Sequence, residues 1–348
     1  MLDAIFGLLS HDLGIDLGTT HTFVLVKGKG IVIREPSVVA RQKKTKQILA
    51  IGSEAKKMLG KTPKNIEAFH PLRHGVIADF DATQVLLEHY IKKVHETPGF
   101  IPKVPKPKVV VAVPSGVTEV ERRAVQEAAL SAGARRAFLI EEPMAAAIGI
   151  GLPISEAAGI FIADLGGGTS EIAIISLGGI VLNRSLRVAG DEFDETIVNF
   201  LRLKYSLLIG LPTAEEIKIA LGSVYPQKSE RQTVVRGRDL ETGLPKSLKV
   251  SETEIREAIS PIASSIVSVI SDLLEETPPE LVSDIMSRGI VLCGGSSQIS
   301  GFDKLVAEAT KMPVWVADDP QTAVVRGCGR VLEDEELLRR VRVTGGLR

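Results

Sequence analysis

Two short runs carry the residues able to do chemistry in this chain. Asp16-Leu17-Gly18-Thr19-Thr20 stands near the start, and Asp164-Leu165-Gly166-Gly167-Gly168-Thr169 near the middle. Each joins a carboxylate to glycines and hydroxyls, a set suited to a phosphate group and its accompanying cation. Glycine lets successive backbone N–H groups close around an anion as a nest. The adjacent Asp suits a Mg2+ ion that bridges phosphate oxygens, commonly through water. One such run marks a tight turn. Two in one chain point to a clamp that grips a nucleoside triphosphate from opposite sides. His21 follows the first run directly, and a third glycine turn, Cys293-Gly294-Gly295-Ser296-Ser297, comes late.

Those runs need elements to position them. Apolar stretches flank both: Leu13 to Ile15 and Phe23 to Val26 around the first, Ile160 to Ala163 and Ile172 to Ile175 around the second. The pattern predicts strand, glycine turn, strand, with the functional groups at a hairpin tip. Strands are predicted over 13–17, 22–26 and 31–34, then a polar insertion over 43–71 with a helix around 53–59. A helix over 82–95 and a proline-rich stretch over 98–107 follow. The run 109–113 is β-branched throughout and reads as a buried strand. Thr118 and Glu121 form a capping box for a helix to 132. A strand over 137–140 ends at Glu141-Glu142-Pro143, before a small-residue helix over 145–150.

The second half repeats this plan, with strands over 159–164, 171–176 and 180–188 and a helix after Gly190-Asp191. A second insertion runs to about 250, where Thr213 with Glu216 is expected to cap a short helix bearing Glu215 and Lys218. Ser251 and Glu254 cap a long helix to about 275, with Ile255, Ile259, Ile262 and Ile266 along its buried side. A strand over 289–292 leads into the late glycine turn. Three strands followed by alternating helices and strands, twice over, is a duplicated α/β architecture.

Bulk properties narrow the class. At 348 residues the chain exceeds what one hydrophobic core serves, so two lobes are expected. A net charge of −1 argues against a nucleic-acid partner. The basic clusters Arg41 to Lys46 and Arg339, Arg340, Arg342 read as solvated faces. Cys293 and Cys328 have no disulfide-framework or metal spacing, which fits a reducing cytoplasm. Apolar stretches are strand-sized, so no membrane span is expected. Leu2, Ile5, Phe6 and Leu9 recur at helical spacing. That stripe is either a helix packed on the body or an amphipathic foot on a membrane.

The two loops and the Gly294-Gly295-Ser296-Ser297 turn resemble the phosphate-1, phosphate-2 and adenosine motifs of the actin, sugar-kinase and heat-shock-chaperone ATPase superfamily. Several further phrases resemble the MreB family of bacterial actins. They are Gly28-Lys29-Gly30-Ile31-Val32, Glu35-Pro36-Ser37-Val38, Gly75-Val76-Ile77-Ala78-Asp79, Ile140-Glu141-Glu142-Pro143-Met144-Ala145, Ala189-Gly190-Asp191-Glu192 and Thr277-Pro278-Pro279-Glu280-Leu281. The likeness runs from about 13 to 332.

The resemblance implies an α/β, actin-like ATPase fold of two lobes, each built on a duplicated ribonuclease H-like βββαβαβ core with small insertions. It divides the chain into a first core (1–39, 77–156 and 327–348), its insertion (40–76), a second core (157–191 and 256–326) and its insertion (192–255). Gly18, Thr19, Thr20 and His21 would hold phosphate oxygens from one lobe, and Gly166, Gly167, Gly168 and Thr169 from the other. Asp16 and Asp164 would hold the water shell of Mg2+. Glu142, helped by Thr169, is in the position that orients the attacking water. Phosphoryl transfer depends on alignment and charge neutralisation more than on a strong base, so this set suffices. Glu215 and Lys218, three apart on a helix, share a face and would bracket the ribose or adenine. The turn Gly294 to Ser297 would close over the base.

Two departures stand out. His21 replaces the family's usual Asn and adds a possible pH dependence near neutrality, while Cys293-Gly294-Gly295-Ser296-Ser297 replaces Thr-Gly-Gly-Gly and leaves GTP open beside ATP. The implied activity is a weak ATPase coupled to a homopolymer at the inner face of the cytoplasmic membrane. Filaments there would help maintain rod shape with membrane proteins of the wall-synthesis complex. Phe100 and Ile101 lie where the resemblance places a membrane-inserting loop. A soluble small-molecule kinase of the same superfamily is the alternative. It would need a catalytic Asp and an acceptor pocket, for which the sequence gives no signal. A chaperone would need a peptide-binding domain beyond the ATPase, and the chain is read as lacking one.

Overall fold

Glycine turns and β-branched runs build two five-stranded sheets with the same strand order. The computed structural model describes residues 10–96 and 105–343, so Leu2, Ile5, Phe6, Leu9, Phe100 and Ile101 lie outside the described residues. In the first sheet the order is Arg136–Glu141, Lys108–Val113, Leu13–Leu17, His21–Val26 and Gly30–Pro36. In the second it is Val314–Val316, Ile290–Cys293, Ile160–Leu165, Ser170–Ser176 and Gly179–Leu186. Each central strand pairs antiparallel with the strand that follows it and parallel with a later one. Lys108–Val113 is buried along its whole length, as expected of a strand covered on both faces.

Helices pack on these sheets to form three cores. Leu13, Ile15, Leu86, Tyr90 and Val111 lie in the first lobe's core, and Phe161, Phe193, Ile259 and Phe302 in the second's. The third core joins the lobes and contains Val110, Ile140, Met144, Ile162, Ala173 and both cysteines. At its centre, helix Glu142–Ile150 crosses helix Ala323–Glu333 with backbones in contact. A Cβ on Gly149 would lie 1.8 Å from the Ala323 carbonyl oxygen, and one on Gly327 the same distance from that of Ala145. Only glycine fits at either position. This crossing fixes the helix whose first residue is Glu142.

Local signals located several helices well. Thr118 and Glu121 cap Glu119–Ser131, and Ser251 and Glu254 cap Glu252–Glu275, both with complete capping boxes. Thr213 does not cap its helix. Leu211–Leu221 begins earlier, behind Gly210, because Pro212 fits the first turn, where no N–H is needed. The helix expected around 53–59 is one turn, Ser53–Lys56. Glu252–Glu275 is long and apolar enough by composition to cross a membrane, more than the strand-sized stretches expected. Its Ile255, Ile259, Ile266 and Ile270 are nevertheless buried in the second core, whereas Ile262 is only partly buried. The insertions carry small sheets of their own: Ile48–Ile51, Val39–Gln42 and Ile66–Phe69 in the first, Leu207–Leu208, Gln232–Asp239 and Pro245–Ser251 in the second. Arg41 is not solvated. It is held at 2.7 Å by both Glu67 and Asp79 and lies over the Phe69 ring.

Candidate nucleotide site

Because the sheets repeat, the two hairpin tips meet. A Cβ on Gly167 would lie 2.3 Å from Thr20 Oγ1, and one on Gly168 2.4 Å from Thr19 Oγ1. The glycines of one tip therefore make room for the threonines of the other. Each tip is held from behind. Ser37 donates its hydroxyl to the Gly18 carbonyl (2.6 Å) and its N–H to that of Thr20 (2.9 Å). His70 Nδ1 hydrogen-bonds the Thr19 carbonyl (3.0 Å), and the Gly75 N–H donates to Thr19 Oγ1 (2.9 Å). In the second tip the Gly166 N–H donates to the Thr169 carbonyl (2.9 Å), and Ser296 donates to that of Gly166 (2.7 Å). The Asp191 N–H donates to the Gly167 carbonyl (2.8 Å), which brings the start of helix Gly190–Tyr205 against the tip.

Carboxylates gather beneath the tips. Asp16 and Asp164 occupy the same register position in the two sheets. Burial pushes the Asp16 carboxyl up to about 8, with the charge of Asp164 adding to it. Burial likewise raises Asp164 to about 7, helped by Glu171 and opposed by a hydrogen bond with Cys293. Glu142 is pushed well above the usual carboxylate range by burial, then by Glu171, Asp164 and Asp16. Four acids that raise one another's proton affinity form a site short of positive charge. A hydrated divalent cation suits that deficit, and Asp16 and Asp164 would hold its water shell.

The late turn and the inserted helix complete the walls. Gly295–Gln298 is a 3-10 turn, with Ser297 donating to the Gly294 carbonyl (2.7 Å) and Ser296 tied to the second tip. Glu215 and Lys218 are drawn to different partners. Glu215 meets Lys56 of the opposite insertion at 2.8 Å, while Lys218 reaches Asp194 and the Gly190 carbonyl, each at 2.8 Å. Burial favours a neutral Glu215, but Lys56 and Lys218 hold its carboxyl below the usual range. His21 begins its strand beside this group. Burial, then Lys56, pushes its pKa below the ordinary imidazole value, which favours the neutral ring and shifts its titration to the acid side.

The model of the family described as MreB/Mbl protein matches residues 10–340. The chain belongs to the MreB/Mbl family. It is 51% identical over 337 residues to the cell shape-determining protein MreB of Escherichia coli K12, covering 96% of each chain. It is 44% identical over 331 residues to the cell shape-determining protein Mbl of Bacillus subtilis 168, covering 95% of this chain and 98% of that one. Crystal structures of MreB5 of Spiroplasma citri, bound to ADP and to AMPPNP, each align with a TM-score of 0.88 at 38% identity. They cover 95% of this chain and 98% of theirs. The two-lobed actin-like fold expected from the sequence is the fold of this MreB/Mbl protein.

Within this family member, several residues at the site escaped the sequence reading. Glu171, His70, Lys56 and Asp194 contact or charge the residues singled out there, and Ser115 hydrogen-bonds Glu171. Glu171 had a visible signal: it lies two residues beyond Thr169 and is followed on its strand by four apolar residues, Ile172 to Ile175. The others come from distant segments and carry no local mark.

Proposed function

We propose that this protein binds ATP with Mg2+ between its two tips, hydrolyses it slowly, and polymerises into filaments on the inner face of the cytoplasmic membrane. There it would help maintain rod shape by organising wall synthesis with membrane-protein partners. The interlocked tips, Thr19 and Thr20 against Gly168 and Gly167, carry this reading. A triphosphate tail touching both tips bridges the lobes, and loss of its terminal phosphate removes the bridge. The MreB5 structures bound to ADP and AMPPNP support the choice of adenine nucleotide.

In this reading Gly18, Thr19, Thr20 and His21 bind phosphate from one side and Gly166 to Thr169 from the other. Glu142 orients the attacking water, with the Thr169 hydroxyl beside it. Glu215, Lys218 and the turn Gly294 to Ser297 receive the nucleoside. The ion supplies charge neutralisation at the phosphates. The division into two cores and two insertions given above is part of the same proposal. Glu142→Ala and Thr169→Ala are each expected to slow phosphate release about 10²-fold while nucleotide still binds. Phosphate release at the normal rate in both would refute the assignment.

Membrane attachment is supported by the closeness of the described residues that flank two apolar segments. Ser10 hydrogen-bonds His95 Nε2 at 3.0 Å and accepts the Lys106 N–H at 3.2 Å. The residues that flank the segments holding Leu2, Ile5, Phe6, Leu9 and Phe100, Ile101 therefore lie together. Each inserted apolar side chain contributes roughly 1.5–3 kcal/mol, and a filament multiplies such contacts. Deleting residues 2–9 is expected to leave ATP hydrolysis intact and abolish sedimentation with liposomes; undiminished co-sedimentation counts against the foot.

A further inference from the structure

Glu171 is the fully buried acid that joins the lobes. It sits on strand Ser170–Ser176, opposite Asp164 in the antiparallel register and two residues after Thr169. Its Oε2 accepts both the N–H (3.0 Å) and the hydroxyl (2.5 Å) of Ser115. Its Oε1 accepts the Ser185 hydroxyl at 2.5 Å. Ser185 belongs to the second lobe, whereas Ser115 follows Lys108–Val113, the first-lobe strand paired with the one that carries Asp16. The lobes touch directly here: a Cβ on Gly116 would lie 2.7 Å from Ser185 Cβ.

A carboxylate with both oxygens taken by three donors is not free to act as a base. It is a fixed joint between the first-lobe loop and the second-lobe strand that presents Thr169. Glu142 belongs to the first lobe, and of the charged groups acting on it Glu171 acts most strongly. Any rotation that separates the lobes at this point must break the Ser115 bonds to the strand that follows Thr169.

We propose that Glu171 is a positioning residue for ATP cleavage, using its bonds to Ser115 and Ser185 to hold Thr169 and Glu142 in register only while the lobes are closed. The role rests on the ATPase reading above. The test measures single-turnover cleavage of Mg-ATP, nucleotide affinity, and amide hydrogen exchange of the nucleotide-free protein over 113–116 and 169–172. Misplacing reacting groups by about 1 Å costs on the order of 10²-fold. Ser115→Ala and Glu171→Ala are expected to slow cleavage at least ~10-fold with nucleotide affinity within ~3-fold of wild type. Glu171→Gln keeps an acceptor for Ser115 and a donor for Ser185, and should restore cleavage to within ~3-fold. Exchange over both segments should rise about tenfold in Ser115→Ala, which removes a single hydroxyl and keeps the test open if Glu171→Ala fails to fold.

Normal cleavage and unchanged exchange in Ser115→Ala would overturn the proposal, as would a Glu171→Gln protein no faster than Glu171→Ala. Wild-type protein that binds nucleotide without cleaving it would instead refute the ATPase reading, and the positioning role with it.

Discussion

The two hairpin tips share a topology and differ in what they present. The first offers side chains, Thr19, Thr20 and His21; the second offers space, three glycines in a row before Thr169. Duplication gave both lobes the same strand order and the same Asp at the same register. Facing each other, two identical tips would collide or leave a gap. Their asymmetry is what lets them interlock, so the complementarity belongs to the pair and to neither hairpin alone.

The comparison breaks most sharply at Gly168. Gly168→Ala puts a methyl 2.4 Å from Thr19 Oγ1 and wedges the lobes, so nucleotide affinity should fall about 10²-fold. Gly179→Ala in the same lobe meets nothing nearer than 3.9 Å and should bind normally by calorimetry. Equal affinities in the two variants would mean the tips do not close on the ligand.

A second, smaller effect concerns the acids both tips share. Asp16 at about 8 and Asp164 at about 7 bind protons more tightly folded than unfolded. The folded state then holds more protons, and stability falls as pH rises from about 4 to about 8. Without Mg2+, the melting temperature should drop by several degrees between about pH 6 and about pH 8.5. Mg2+ with nucleotide, or Asp16→Asn with Asp164→Asn, should flatten that slope in differential scanning calorimetry. The least effect is expected at His21. Burial and Lys56 favour the neutral His21 ring, so His21→Asn should change turnover by less than about twofold between about pH 7 and about pH 8.

Much of this arrangement was legible because its signals are local. A glycine turn between apolar runs, or Ser251 three residues before Glu254, declares its structure within a few residues. The inserted sheets were not legible, since Ile48–Ile51 and Leu207–Leu208 are apolar but very short, while Gln232–Asp239 and Pro245–Ser251 mix polar and apolar residues. Arg41 sits in one of them and relies on Glu67 and Asp79 from later segments to cancel its charge. Glu215 and Lys218 show the same limit: helical spacing gave them a common face, but tertiary neighbours gave them Lys56 and Asp194 as separate partners. The Ser115–Glu171 joint spans 56 positions, which no local pattern encodes.

The helix crossing at Gly149 and Gly327 has a mechanical consequence. Two rods touching backbone to backbone at one spot can swivel about it but cannot slide, because each glycine is notched against the other's carbonyl. The crossing thus behaves as an axle. In the proposed nucleotide-driven filament, a small angular change at the phosphates would be magnified with distance from the crossing, so the outer insertions would travel farthest and stacked subunits would inherit the tilt.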